Sequence, residues 1–117
     1  MRFILPILAG LSLLAQQPPA APAPAVPKPA RGLHRYMVVR TWPAGALDHV
    51  DAEAKATVNK NNARFRVRWV HSFAVPDLTK TFCIYEGPDP KAIRDAAEAN
   101  KMPVDSITEI PNVLTAQ

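Results

Sequence analysis

From residue 34 onward the hydrophobic and polar positions of the chain change period several times, and each change marks an element. Arg35 to Trp42 (RYMVVRTW) is β-branched and aromatic and stops at Pro43, which predicts a first strand. Ala46 to Asn61 carries apolar residues at Leu47, Val50, Ala54 and Val58, spacings of three and four that lay one stripe along a helix; Asn59, Asn61 and Asn62 supply its exit. Arg66 to Val75 alternates again. After the turn Pro76-Asp77-Leu78-Thr79, Lys80 to Glu86 (KTFCIYE) reads as the returning strand of a hairpin. Gly87-Pro88 breaks that strand. Asp89-Pro90 then starts a second helix, the carboxylate capping free amides and the proline standing where no donor is needed. This helix runs to about Asn100 with Ile93, Ala96 and Ala97 inward, Pro103 ends it, and Asp105 to Ile110 is the last strand.

The order β-α-β-β-α-β predicts an α+β, ferredoxin-like fold: a four-stranded antiparallel sheet with two helices on one face. Strand alternation puts Val67, Trp69, His71, Phe73 and Val75 on one side of the third element, and Arg66, Arg68, Val70, Ser72 and Ala74 on the other. The first set is the more apolar and is expected against the helices. Hairpin register stays open. A two-residue loop sets Cys83 and Tyr85 beside Ser72 and Val70, a three-residue loop sets them beside His71 and Trp69, and one slip exchanges the faces. In either register the face away from the helices is too apolar to stand bare, which predicts a homodimer.

The first 33 residues are of another kind. Met1-Arg2 followed by the apolar run Phe3 to Ala15 matches a secretory signal peptide (1–15) and is too short for a membrane span. Residues 16–33, opening QQPPAAPAPAVPKPAR, form a Pro/Ala-rich linker that favours extended polyproline II. These features predict export to the periplasm or the extracellular space, with membrane attachment only through an uncleaved leader. The folded domain is expected over 34–117. Of 14 basic residues three (Arg2, Lys28, Arg31) precede residue 34, and none of the 10 acids does, so the formal charge of +4 falls to +1 in the domain. The basic excess therefore belongs to leader and linker, and nucleic acid is excluded as an expected partner.

Candidate chemistry is sparse. A single cysteine, Cys83, rules out an internal disulfide and leaves burial, metal binding or pairing with another chain. His71 is the leading metal ligand, with Cys83, Tyr85 and Glu109 on neighbouring strands as its candidate companions; a core histidine between Trp69 and Phe73 is the structural alternative. Asp48, His49 and Asp51 could form an oxygen-and-nitrogen cluster, although acids before a helix also suit its dipole. His34 stands at the domain edge. Arg40, Arg66 and Arg68 would hold an anion if they point into a cavity, and would be solubilising charges if they point outward. No nucleophile elbow, phosphate-binding glycine loop or metal-hydrolase motif is present, and catalytic residues are not identifiable.

The motifs W-V-H-S-F (69–73), T-F-C-I-Y-E (81–86), P-x-P-x-A-I-R (88–94) and M-P-V-D-x-I-T-E-I (102–110), with the weaker YMVVRTWP (36–43), resemble a family of short bacterial ferredoxin-like domains. Its members are of unknown function (the DUF4242 type) or described as nickel-binding. Where that family often has an acid before the arginine of the first strand, this chain has Val39. The resemblance implies a homodimer whose sheets face each other as an α/β barrel around a cavity, and it implies nickel as the metal. Three functions are thus expected to compete. They are an exported, non-catalytic dimeric protein that binds a transition metal such as nickel; a small-ligand-binding protein or enzyme of the dimeric barrel type; and a structural interaction module on a proline-rich stalk.

Overall fold

A computed structural model describes residues 26–116 together with the isolated positions Phe3 and Gly10. The rest of the expected leader, and the linker as far as residue 25, lie outside the described residues. Six elements follow in order: β1 (His34–Thr41), α1 (Ala52–Ala63), β2 (Arg68–Ala74), β3 (Lys80–Gly87), α2 (Pro90–Ala99) and β4 (Ser106–Glu109). The strands form one sheet in the order β2-β3-β1-β4, and β1 pairs antiparallel with both β3 and β4. This is the predicted ferredoxin-like α+β arrangement. No helix among the described residues is long and apolar enough to cross a membrane.

Helix α2 forms where expected because its start is locally encoded. The Asp89 side chain accepts from Ala92 N at 2.8 Å, and Pro90 occupies the first turn. Its inner face buries Ile93, Ala96 and Ala97 against Tyr36 and Val38 of β1, Cys83 and Tyr85 of β3, and Val67. Gly87 permits the close approach: a Cβ there would lie 2.8 Å from Ile93 Cδ1 and 3.3 Å from Val67 Cγ2. Its lack of a side chain is a packing requirement.

Helix α1 departs from expectation. It begins at Ala52, not Ala46, because Asp51 captures the free Ala54 amide at 2.8 Å, while Gly45 at φ +82° turns the preceding chain. Asn62 is the one residue that α1 buries. Around it the helix ends are tied by side-chain amides, Asn100 Nδ2 donating to Asn62 Oδ1 and Asn61 Nδ2 to Asn100 Oδ1, each at 2.9 Å. Polar bonds therefore anchor one end of α1, and its apolar stripe is left facing a gap.

The β2 strand corrects the predicted face. Trp69 pairs with Tyr85 and His71 with Ile84, so Val70 is an extra residue in a β-bulge. An extra residue reverses the alternation downstream of it. Val67 and Trp69 stay on the helix side as expected, whereas His71 and Phe73 turn to the opposite, outer face. Each register left open by the sequence is realised on one side of the bulge. Ser72 sits opposite Cys83, as a two-residue loop requires, and Trp69 opposite Tyr85, as a three-residue loop requires.

Candidate functional site

The sheet has two sides with different chemistry. On the helix side, α1 and the turns before it stand over β1, β2 and β3 and leave a cleft of about 510 Å³. Leu47, Val50, Ala54 and Val58, the stripe visible in the sequence, all line it, the first two from the turn segment and not from the helix. The floor comes from the sheet. Arg40, which is 1% exposed, continues the β1 face that carries Tyr36 and Val38, and lies opposite Thr81. Its Nη1 donates to the Pro103 carbonyl at 2.6 Å, its guanidinium carbon lies 5.4 Å from the centre of the Tyr85 ring, and its Nε has no hydrogen-bond partner. Of the three arginines weighed for an anion, this one reaches a cavity. Arg66 is exposed, and Arg68 is exposed and paired to Glu86 at 3.7 Å.

Cys83 and Tyr85 are neighbours on this same floor. The Cys83 thiol donates to Thr81 Oγ1 at 3.3 Å, and that hydroxyl also accepts from the Trp42 indole at 2.9 Å. Cys83 is thus a buried, hydrogen-bonded thiol in the core. Burial pushes the Tyr85 hydroxyl above its usual pKa, and the Arg40 charge offsets only part of that rise. Tyr36 is raised as well, by burial and by the Glu109 and Asp89 carboxylates. A raised tyrosine pKa contributes stability below the unfolded value of 10.0, which is lost as pH climbs from there through the folded value. Stability should accordingly be insensitive to these groups at neutral pH and fall above about pH 10. In Tyr85→Phe that alkaline fall should be shallower in urea titrations at pH 9 to 11; an unchanged slope would remove Tyr85 as its cause.

The outer face carries Met37 and Val39 of β1, Phe82 and Ile84 of β3, and His71 and Phe73 of β2, as strand alternation and the register require. Phe73 is 62% exposed and Phe82 37%, so this face is both apolar and accessible. His71 is exposed, its ring set edge-on against Phe73 at 5.1 Å. It is therefore not the core histidine that the sequence allowed as an alternative.

The four residues expected to gather around a metal do not meet within one chain. His71 lies on the outer face and Cys83 and Tyr85 on the helix side, because the bulge places them on opposite surfaces of the same hairpin. Glu109 is on the far edge strand, where its carboxylate lies 3.3 Å from His34 Nδ1. The Asp48, His49 and Asp51 cluster resolves into structure: Asp51 is the α1 cap, and His49 lines the rim of the cleft. Among the described residues no group of three or more His, Cys, Asp or Glu side chains is placed to hold a metal ion. The described residues of the single chain do not by themselves supply a closed nickel site.

Sequence reasoning missed Trp42, Lys55 and Lys101 as cleft residues. Trp42 had a legible signal, an aromatic residue between a strand and a proline. The two lysines had none, since their direction depends on how α1 and the end of α2 sit on the sheet.

A solved structure, that of SCO4226 from Streptomyces coelicolor A3(2), is similar in fold, with a TM-score of 0.58 at 21% identity over 68% of this chain and 99% of that one. Among curated proteins none matches the chain. The family model of the SCO4226-like nickel responsive proteins matches residues 36–110, from the first strand through the last, and on that match the chain belongs to the SCO4226-like nickel responsive protein family.

Proposed function

We propose that this is an exported, dimeric, non-catalytic protein that binds nickel between two protomers, with His71 of each as a ligand. The observation that carries the reading is the position of His71: an accessible imidazole on an apolar sheet face, in a member of a nickel responsive family. Imidazole is a good ligand for nickel. A single histidine does not make a site, and pairing the outer faces of two copies would double the donors while covering Phe73, Phe82 and their neighbours. Cys83 and Tyr85, engaged with Thr81 and Arg40 inside the core, have no part in this site. Glu109 stands apart with His34. The leader and the proline-rich segment support export and distance from a surface.

Native mass spectrometry of tag-free, metal-stripped protein titrated with nickel tests the reading, because subunit number and metal stoichiometry come from one spectrum. The expected result is a dimer that takes up nickel in whole numbers, and a His71→Ala dimer whose nickel affinity falls by roughly a hundredfold or more, because the substitution removes a ligand from each protomer. Unchanged affinity in His71→Ala would remove this site.

A further inference from the structure

The helix-side cleft has a composition that the nickel reading does not use. Its charged lining is Arg40, His49, Lys55 and Lys101, with no aspartate or glutamate among the described lining residues. The rest is chiefly apolar or aromatic, and both tryptophans of the chain, Trp42 and Trp69, are part of it. Arg40 is the exceptional member. It is 1% exposed, it makes no ion pair with any described carboxylate, its guanidinium meets the neutral Pro103 carbonyl and the Tyr85 side chain, and its Nε is left without an acceptor. A buried guanidinium in that condition has lost water without gaining an anion.

We infer that the cleft between α1 and the sheet binds a small organic carboxylate with an apolar body, its carboxylate on Arg40 and its body between the tryptophans and the α1 stripe. A carboxylate oxygen is the acceptor that Arg40 Nε lacks, and the guanidinium geometry matches it. Lys55 and Lys101 supply attractive charge at the rim. A volume of about 510 Å³ is in the range of sites for small ligands. An apolar body is required because the walls offer few further donors. A compact polyanion such as phosphate would find one buried arginine where it needs several groups, and this chain has no glycine-rich phosphate loop. The α1 helix, which buries only Asn62, can hold such a body without giving up core contacts.

The chain reports its own ligand, since Trp42 and Trp69 both touch the cleft. Metal-free protein is titrated with hexanoate, with its neutral counterpart hexanamide, and with inorganic phosphate, following tryptophan emission. Hexanoate is expected to give a saturable change, and hexanamide and phosphate are each expected to bind at least about tenfold more weakly, the weight of one charge-assisted bond or of the apolar body. Arg40→Gln should reduce hexanoate to the hexanamide level. Should that variant not fold, Ala54→Phe decides: it fills the cleft from the first turns of α1, leaves Arg40 in place, and should abolish the hexanoate response. Equal binding of hexanoate and hexanamide, equal binding of phosphate, no saturable change, or an unaffected Ala54→Phe would each overturn the assignment. Because no metal is present, the outcome is independent of the nickel site.

Discussion

Ile93→Ala is expected to lower the unfolding free energy by about 3 kcal/mol, within the span seen when buried aliphatic side chains are cut back to alanine. Ile93 is 1% exposed and is the largest apolar side chain that α2 contributes to the core. Its loss would remove the contact between α2 and the Gly87 end of β3. In a domain of this size that corresponds to about 15 °C in Tm, readable by calorimetry or circular dichroism. A second variant gives the prediction a sharper edge. Gly87→Ala places a methyl group where Ile93 Cδ1 already lies at 2.8 Å, and should cost about 1–3 kcal/mol in the wild-type background. With Ile93→Ala the obstructing atom is gone and the new methyl enters the vacated space. The two losses should then be less than additive, a coupling that a double-mutant cycle detects. Strict additivity would mean that Gly87 is constrained by something other than Ile93.

Phe82→Glu should convert the proposed dimer to monomer at micromolar concentration. Phe82 is centred on the outer face, directly opposite Val39 on β1 and Phe73 on β2, and it stands 37% exposed in one chain. Burying a glutamate there against a second apolar sheet, with Lys80, whose Nζ stands 5.9 Å from the Phe82 ring, as its neighbouring cation, is a cost comparable to losing a hot-spot residue. That is about 3 kcal/mol, or roughly a hundredfold in dimer affinity. The same change at Leu114, which is 96% exposed near the end of the chain, should leave the dimer intact. Nickel separates the contributions further: Phe82→Glu keeps His71 but should lose tight metal binding along with the dimer, whereas His71→Ala should keep the dimer and lose the metal. Analytical ultracentrifugation across a concentration series reads the first effect. A Phe82→Glu protein that sediments as a dimer would place the interface elsewhere.

Local chemistry made the element order and the start of α2 legible. Asp89-Pro90 and Asp51 act on amides within three residues of themselves, and strand and helix periods are properties of short windows. The start of α1 was misplaced because Leu47 and Val50 keep the stripe's direction while standing in turns, so that hydrophobic spacing continued past the helix boundary. The open hairpin register could not be closed from the sequence. A bulge at Val70 adds one residue to β2, and nothing local to Trp69-Val70-His71 distinguishes it from uninterrupted alternation.

That single extra residue had the largest consequence for function. It leaves Trp69 over the core and turns His71 outward, and so it divides the expected ligand set between two faces. Cys83 and Tyr85 were readable as strand residues, but their neighbours Thr81, Trp42 and Arg40 come from across the sheet. The burial of Arg40 without a carboxylate was equally hidden. It is decided by which side chains face the cleft: the acids of the surrounding segments, Asp48, Asp51, Glu53 and Glu86, are all absent from its lining, a property that no segment carries alone.

The sequence by itself determined the order of strands and helices, the inward stripe of α2 and the capping residues, because these rest on interactions spanning a few positions. The sheet order, the bulge, the accessible face that presents His71 and the basic cleft around Arg40 were decided only by the tertiary structure. They depend on which residues meet across strands and between layers, and those encounters are fixed by packing over the whole domain.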